Sequence, residues 1–277
     1  MFHGVGAPGL PAEVFREQIS FLSRHFSIAP LDEVVRSGGA AANGTPRLAL
    51  TFDDGLRNNY TVAYPVLREF NAPATFFVCP GLIESGRWLW NHECRARLGS
   101  MSGTERRRFA DALRADADTI EAIVSKMKYL PNAERRAVED ELRRLTPGFA
   151  PSEAQRRQYD MISWEELRSL DPALISIGGH STSHQILPKL SGEALEREVA
   201  ECRRLLERGL GRPVRHFCYP DGAYDAAVLD CVGRHFDLAV TTREGFIPSP
   251  PRILELPRIS IADTLPDLAW TMLRPAG

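Results

Sequence analysis

The chain has 277 residues, 43% of them hydrophobic and 25% charged, with a formal net charge of −2. That length suits one large domain or two small ones, and a single α/β barrel of about 250 residues fits within it. The near-balanced charge gives no electrostatic case for nucleic acid or an anionic membrane surface, and no run of about 18 apolar residues predicts a transmembrane helix.

In chain order, the start Met1-Phe2-His3-Gly4-Val5 has no basic region and no signal-peptide core. The five cysteines (Cys79, Cys94, Cys202, Cys218, Cys231) form no C-x-x-C pair. Both features predict a reduced compartment and a cytoplasmic location. Residues 11–26 carry Val14, Phe15, Ile19 and Leu22 at helical spacing. A strand is expected over 48–52, ending abruptly at Asp53-Asp54-Gly55. Two aspartates in one cleft repel each other, so a cation or a shared proton is the expected remedy. A second strand is expected over 74–78.

Residues 84–160 hold no convincing strand and many charges. Helices are expected over 104–127 and 132–145, with Arg106-Arg107-Arg108 and Arg135-Arg136 on polar faces. This stretch reads as a helical insertion: a lid or partner surface, or solvated helices packed on the remainder. Trp88 and Trp90 open it, either to stack on the flat face of a ligand or as core anchors. A strand over 174–178 leads into Gly179-His180-Ser181-Thr182-Ser183-His184, where two histidines four apart can face one metal. A helix follows over 191–210, with Leu195, Val199, Cys202 and Leu206 on one stripe. Further strands are expected over 216–219, 238–241 and 258–261. Strands alternating with helices imply a parallel sheet.

The segments Thr51-Phe52-Asp53-Asp54-Gly55 and His180-Ser181-x-x-His184 are similar to the T-F-D-D-G and H-[ST]-x-x-H motifs of the polysaccharide deacetylases, the NodB-homology or carbohydrate esterase family 4 enzymes. The resemblance spans roughly Phe2 to Ile261. It implies an α/β fold, a distorted (β/α) barrel of about seven parallel strands, as one catalytic domain over 1–277 with the helical insertion at about 84–160. It implies a metal-dependent hydrolase that removes N-acetyl groups from an amino sugar in a polysaccharide, oligosaccharide or glycan precursor. The partner is thus an N-acetylated carbohydrate. Asp54, His180 and His184 are the implied metal ligands and Asp53 the implied base. Mixed N/O ligands favour Zn²⁺, with Co²⁺, Ni²⁺ or Mn²⁺ able to substitute. A structural Asp–His cluster without metal is the competing reading. Ser181 and Thr182 are expected to cap or orient the histidine loop.

The family's other two motifs are altered here. Phe217-Cys218-Tyr219-Pro220-Asp221-Gly222 aligns with R-x-P-Y, with Cys218 at the arginine and Asp221 at the tyrosine. Tyr219 and Asp221 are therefore expected at the oxyanion and substrate side, and the backbone donation that the resemblance implies survives at Asp221. Leu256-Pro257-Arg258 stands where L-x-H supplies the family's general acid. Arginine is a poor proton donor but binds a carboxylate in bidentate fashion, so Arg258 is expected to orient Asp53 in place of the missing arginine. First and last strands are neighbours in a closed barrel, so His3 is the candidate acid, with a purely structural His3 as the alternative. His25, His92 and His235 are read as bystanders, and His216 as structural. Two other functional readings stand beside the deacetylase: hydrolysis of another amide or imide on the same metal site, and a glycan-binding protein with impaired catalysis.

Overall fold

The computed structural model describes residues 1–6, 9–38 and 44–273. Its strands are β1 (Ser27–Ile28), β2 (Arg47–Leu48), β3 (Leu50–Phe52), β4 (Ala74–Val78), β5 (Ile175–Gly179), β6 (His216–Cys218), β7 (Leu238–Glu244) and β8 (Leu256–Arg258). β1 and β2 pair with each other, and β3 to β8 form a parallel sheet in sequence order. The strands of that sheet are apolar and buried on both faces over most of their length, as parallel strands covered by helices require. The sheet has six strands, and Met1–Phe2 fills the place between its edges. Phe2 N–H donates to Thr51 and Asp53 N–H donates back to Phe2, while Met1 bonds Ile259 and Ile261 beyond β8. Phe2 also stacks on Phe52 at 4.8 Å, and Phe15 and Phe76 meet Phe52 edge-on. Each such ring pair contributes about 0.5–1.5 kcal/mol beyond its buried area.

α1 (Ala12–His25) turns Phe15, Ile19 and Leu22 inward. α2 (Leu31–Arg36), α3 (Tyr64–Glu69) and α4 (Pro80–Ser85) are short helices of six residues each. From Trp90 to Tyr159 the chain is helical with no strand: α5 (Trp90–Ser100), α6 (Gly103–Leu113), α7 (Ile120–Tyr129), α8 (Asn132–Leu145) and α9 (Glu153–Tyr159). α10 (Trp164–Ser169), α11 (Gly192–Leu210), α12 (Ala226–His235) and α13 (Leu265–Leu273) complete the chain. Capping boxes start α6 (Ser102 with Glu105), α9 (Ser152 with Gln155) and α10 (Ser163 with Glu166), each pairing two orphan amides reciprocally.

Two expectations are corrected here. The helix expected over 104–127 breaks at Arg114, which is left-handed, and α7 restarts under a Thr119 cap on Ala122. Asp116, Asp118 and Thr119 favour caps and turns over helix interiors, and the linear pattern did not weigh that. Arg135 is not on a polar face: only 1% of its surface is exposed. Its guanidinium lies 4.6 Å from the Trp90 ring and bonds Glu139 and Gln185. The α5–α8 helices enclose their own apolar cluster, including Trp90, Leu98, Phe109, Ile123, Met127 and Leu142. Glu93 ties them together by accepting from Arg97 and Arg143.

Candidate metal centre and catalytic cleft

The buried strand β3 ends in Asp53 and Asp54, both almost fully enclosed. Asp54 is left-handed with φ 75°, and Gly55 follows at φ 71°. A Cβ at Gly55 would stand 2.9 Å from Val78, so the turn that presents both carboxylates needs glycine there. β5 ends likewise at His180, whose N–H continues the ladder to Val78. Ser181 and His184 are also left-handed. Asp54, Ser181, His184 and Asp221 are four of the six non-glycine residues with positive φ among the described residues. Strain of this kind, about 1–3 kcal/mol each, persists where the surroundings hold a functional geometry.

The loop between the histidines is held from α11. Glu198 accepts from Ser183 N–H and Oγ–H, and its carbonyl accepts from Thr182. Thr182 thus anchors the loop, while Ser181 Oγ is buried and finds no partner among the described residues. Sequence reading missed Glu198, which sits on the same helix as the apolar stripe and belongs to no motif.

His180 and His184 turn their Nε2 atoms toward Asp54 Oδ1, at 3.5 and 3.4 Å. These separations are long for hydrogen bonds. They match the spacing of about 3.3–3.4 Å between neighbouring ligands set tetrahedrally around an ion at 2.0–2.1 Å. His180 Nδ1 lies 2.8 Å from the Cys218 carbonyl, which places its proton there and leaves the Nε2 lone pair directed inward. Two imidazoles and one carboxylate, buried and convergent, fit a divalent cation. Burial penalises the Asp54 charge, but the two imidazoles outweigh it and hold the carboxyl well below its usual range.

Asp53 faces a guanidinium instead. Arg258 Nη1 donates to Asp53 Oδ1 and Nη2 to Oδ2, both at 2.7 Å. Arg258 Nε donates to the Thr241 carbonyl at 2.8 Å. Cys218 Sγ lies 3.2 Å from Arg258 Nη2 and 3.4 Å from Asp53 Oδ2. Burial alone would raise Asp53, but Arg258 overcomes it and holds the carboxyl down at about 2. Asp53, His180 and Cys218 also converge, yet a cation there would meet the Arg258 charge, so the Asp54 set is the fitting one. Burial pushes the Cys218 thiol up; it is no thiolate nucleophile.

The family model for polysaccharide deacetylase matches residues 40–235. The chain belongs to the polysaccharide deacetylase family. Among solved structures it is similar to the deacetylase PplD of Streptococcus pyogenes in complex with acetate, with 19% identity over 99% of this chain and 96% of that one, at a TM-score of 0.66. IcaB from Ammonifex degensii shows 19% identity over 98% and 94%, at 0.63. A de-N-acetylase from Aggregatibacter actinomycetemcomitans shows 13% over 95% and 93%, at 0.58. These likenesses are of fold. No curated protein matches the chain.

In this deacetylase-family chain the two carboxylates and both histidines open on a cavity of about 500 Å³. His3 is exposed and lines it, as do Tyr219 and Asp221. The Tyr219 hydroxyl is spent on the Leu254 carbonyl, and Asp221 is ion-paired at 2.9 Å with Lys128 from the end of α7. Trp88 and Trp90 do not line the cavity. Trp90 packs in the α5–α8 cluster beneath Arg135, and Trp88 donates to Asp160. His92 and Tyr159 line it instead, stacked on each other. His92, read from sequence as a bystander, therefore stands at the cleft. Of the others, His216 is buried, His25 lies against Phe21 and His235 pairs with Glu196.

Proposed function

We propose that this chain hydrolyses the acetamide of an N-acetylated amino sugar, within a polysaccharide, oligosaccharide or glycan precursor, on a divalent cation held by Asp54, His180 and His184. The observation that carries the reading is the convergence of those three ligand atoms beside an aspartate clamped by Arg258. Zn²⁺ suits the two-imidazole, one-carboxylate set.

A bound cation supplies Lewis acidity toward water and the acyl oxygen. Asp53 receives the proton that water loses as its oxygen bonds to the acyl carbon. The Arg258 charge beside Asp53 lowers its basicity and in exchange holds both its oxygens in one orientation. The C–N bond then breaks, and the departing amine takes a proton from His3, the exposed imidazole on the same cavity. Acetate and a free amino sugar result. On the rim, the Asp221 backbone N–H is proposed to hold the acyl oxygen, since the Tyr219 N–H is already given to the Val240 carbonyl. The five free, buried cysteines fit a reducing compartment, the cytoplasm among them. No helix among the described residues is long and apolar enough to cross a membrane.

The test is acetate release from a panel of N-acetylated sugars by the zinc-loaded protein, beside simple amides and cyclic imides. Release from an N-acetylated sugar supports the reading. Release from the simple amides or imides alone, or from nothing, overturns it.

A further inference from the structure

One wall of the cleft comes from residues outside every motif. His92, near the start of α5, lies at 4.6 Å and 27° against the Tyr159 ring at the end of α9. Trp88 also meets Tyr159 edge-on at 5.3 Å, and its Nε1–H donates to Asp160 at 2.8 Å. Arg57 N–H donates to the Asp160 carbonyl, and Asn58 Nδ2–H to that of Gln158. The wall is thereby fastened to the turn just after Asp54. Its rings are set in place before any ligand arrives.

We propose that His92 and Tyr159 form a sugar-binding subsite in which His92 Nε2–H donates to a hydroxyl of the amino-sugar unit in the cleft, making His92 a specificity-determining residue. The proposal rests on the N-deacetylase reading above. His92 Nδ1 is buried and has no partner among the described residues, so the ring edge that lines the cavity carries Nε2. Burial, the dominant influence, brings His92 down to about 4, and the ring is neutral near pH 7. A neutral ring holds one N–H. A proton on Nδ1 would be buried without an acceptor, whereas one on Nε2 can be met by a ligand in the cleft. The proton therefore sits on Nε2 and points into the cleft. An uncharged donor suits a hydroxyl, where an imidazolium would favour an anion. Asn91 and Gln158 line the same cavity, and a few uncharged polar groups beside aromatic rings fix the orientation of a small ligand.

The test begins with acetate release by the zinc-loaded wild type from trimers of N-acetylglucosamine, N-acetylgalactosamine and N-acetylmannosamine; the fastest is then used throughout. His92→Phe keeps the stack on Tyr159 and removes the donor. Losing one neutral hydrogen bond should raise KM roughly 3- to 10-fold. The value of kcat should stay within about twofold, the pattern of a lost uniform binding contact. His92→Gln, which restores a side-chain N–H, should recover part of the KM. Wild-type zinc content and melting temperature report intact folding. If His92→Phe does not fold, Tyr159→Leu, which removes the ring that His92 stacks on, decides by the same rise in KM. An unchanged KM overturns the subsite and leaves the deacetylase reading standing. A fall in kcat at constant KM overturns it too, by moving His92 into the chemistry. A wild type that releases acetate from none of the trimers ends the deacetylase reading for these sugars and the subsite with it.

Discussion

Arg258 holds Asp53 by both oxygens, with Nη1–Oδ1 and Nη2–Oδ2 each at 2.7 Å, across 205 residues of chain. Its Nε is spent on the Thr241 carbonyl, so the guanidinium plane cannot turn. The Cys218 thiol on β6 sits against both members of the pair. The guanidinium that orients Asp53 is thus delivered from β8.

Arg258→Lys should lower kcat by roughly 10²-fold, because an ammonium cannot fork across both oxygens and a misplaced base is costly. Arg258→Met should also destabilise the fold by about 3–5 kcal/mol, the cost of leaving one partner of a buried pair alone. Steady-state kinetics and urea unfolding check the two effects. A fully active Arg258→Lys would show that Asp53 needs no bidentate partner.

The two aspartates should separate cleanly. Asp53→Asn should lower kcat by about 10²- to 10⁴-fold, the usual contribution of a base, while zinc content stays at the wild-type level. Asp54→Asn and His180→Ala should lose zinc. Elemental analysis beside acetate release distinguishes them. Equal zinc in all three variants and the wild type would remove Asp54 and His180 from the ligand set.

His3→Ala should slow acetamide hydrolysis strongly and an activated acetate ester much less, since a good leaving group needs little protonation. Both rates are read on the same preparation. Equal losses on the two substrates would assign His3 a structural role. No loss on either would hand the proton delivery to another group.

Glu93 provides a test of pH dependence away from the candidate metal centre. Burial would raise its carboxyl, but hydrogen bonds from Arg143 and Arg97 hold it down at about 2. The folded value lies below the ordinary 4.5, so its stabilisation is present above about pH 4.5 and is lost as pH falls toward 2. Glu93→Gln should lower the melting temperature at pH 7, and the gap to wild type should narrow between pH 4.5 and pH 2. A gap that does not change with pH would mean that the Glu93 charge does nothing for the α5–α8 helices.

The legible parts of this chain were those in which chemistry is written contiguously. Thr51 to Gly55 places two carboxylates at a strand end, and His180 with His184 sits four apart after another strand. Each needs only its own local backbone to be recognised, and a parallel sheet brings such strand ends to one side. The apolar stripes of α1 and α11 were readable for the same reason: one helical face is a local property. Arg135 was misread because its environment is not local. A charged residue on an amphipathic helix normally faces water, and only the indole of Trp90, together with Glu139 and Gln185, makes its burial tolerable.

By itself the sequence determined the family, the alternating α/β order and the candidate ligands, because hydrophobic period and short motifs are carried by neighbours along the chain. The tertiary structure alone decided which distant groups share the cleft. It set Met1 and Phe2 between the sheet edges, Glu198 under the histidine loop, and His92 with Tyr159 on the cleft wall where tryptophans were expected. These contacts join residues tens to hundreds of positions apart. No periodicity encodes such pairs, since their meeting depends on how the helices pack and on which buried polar atoms must find partners.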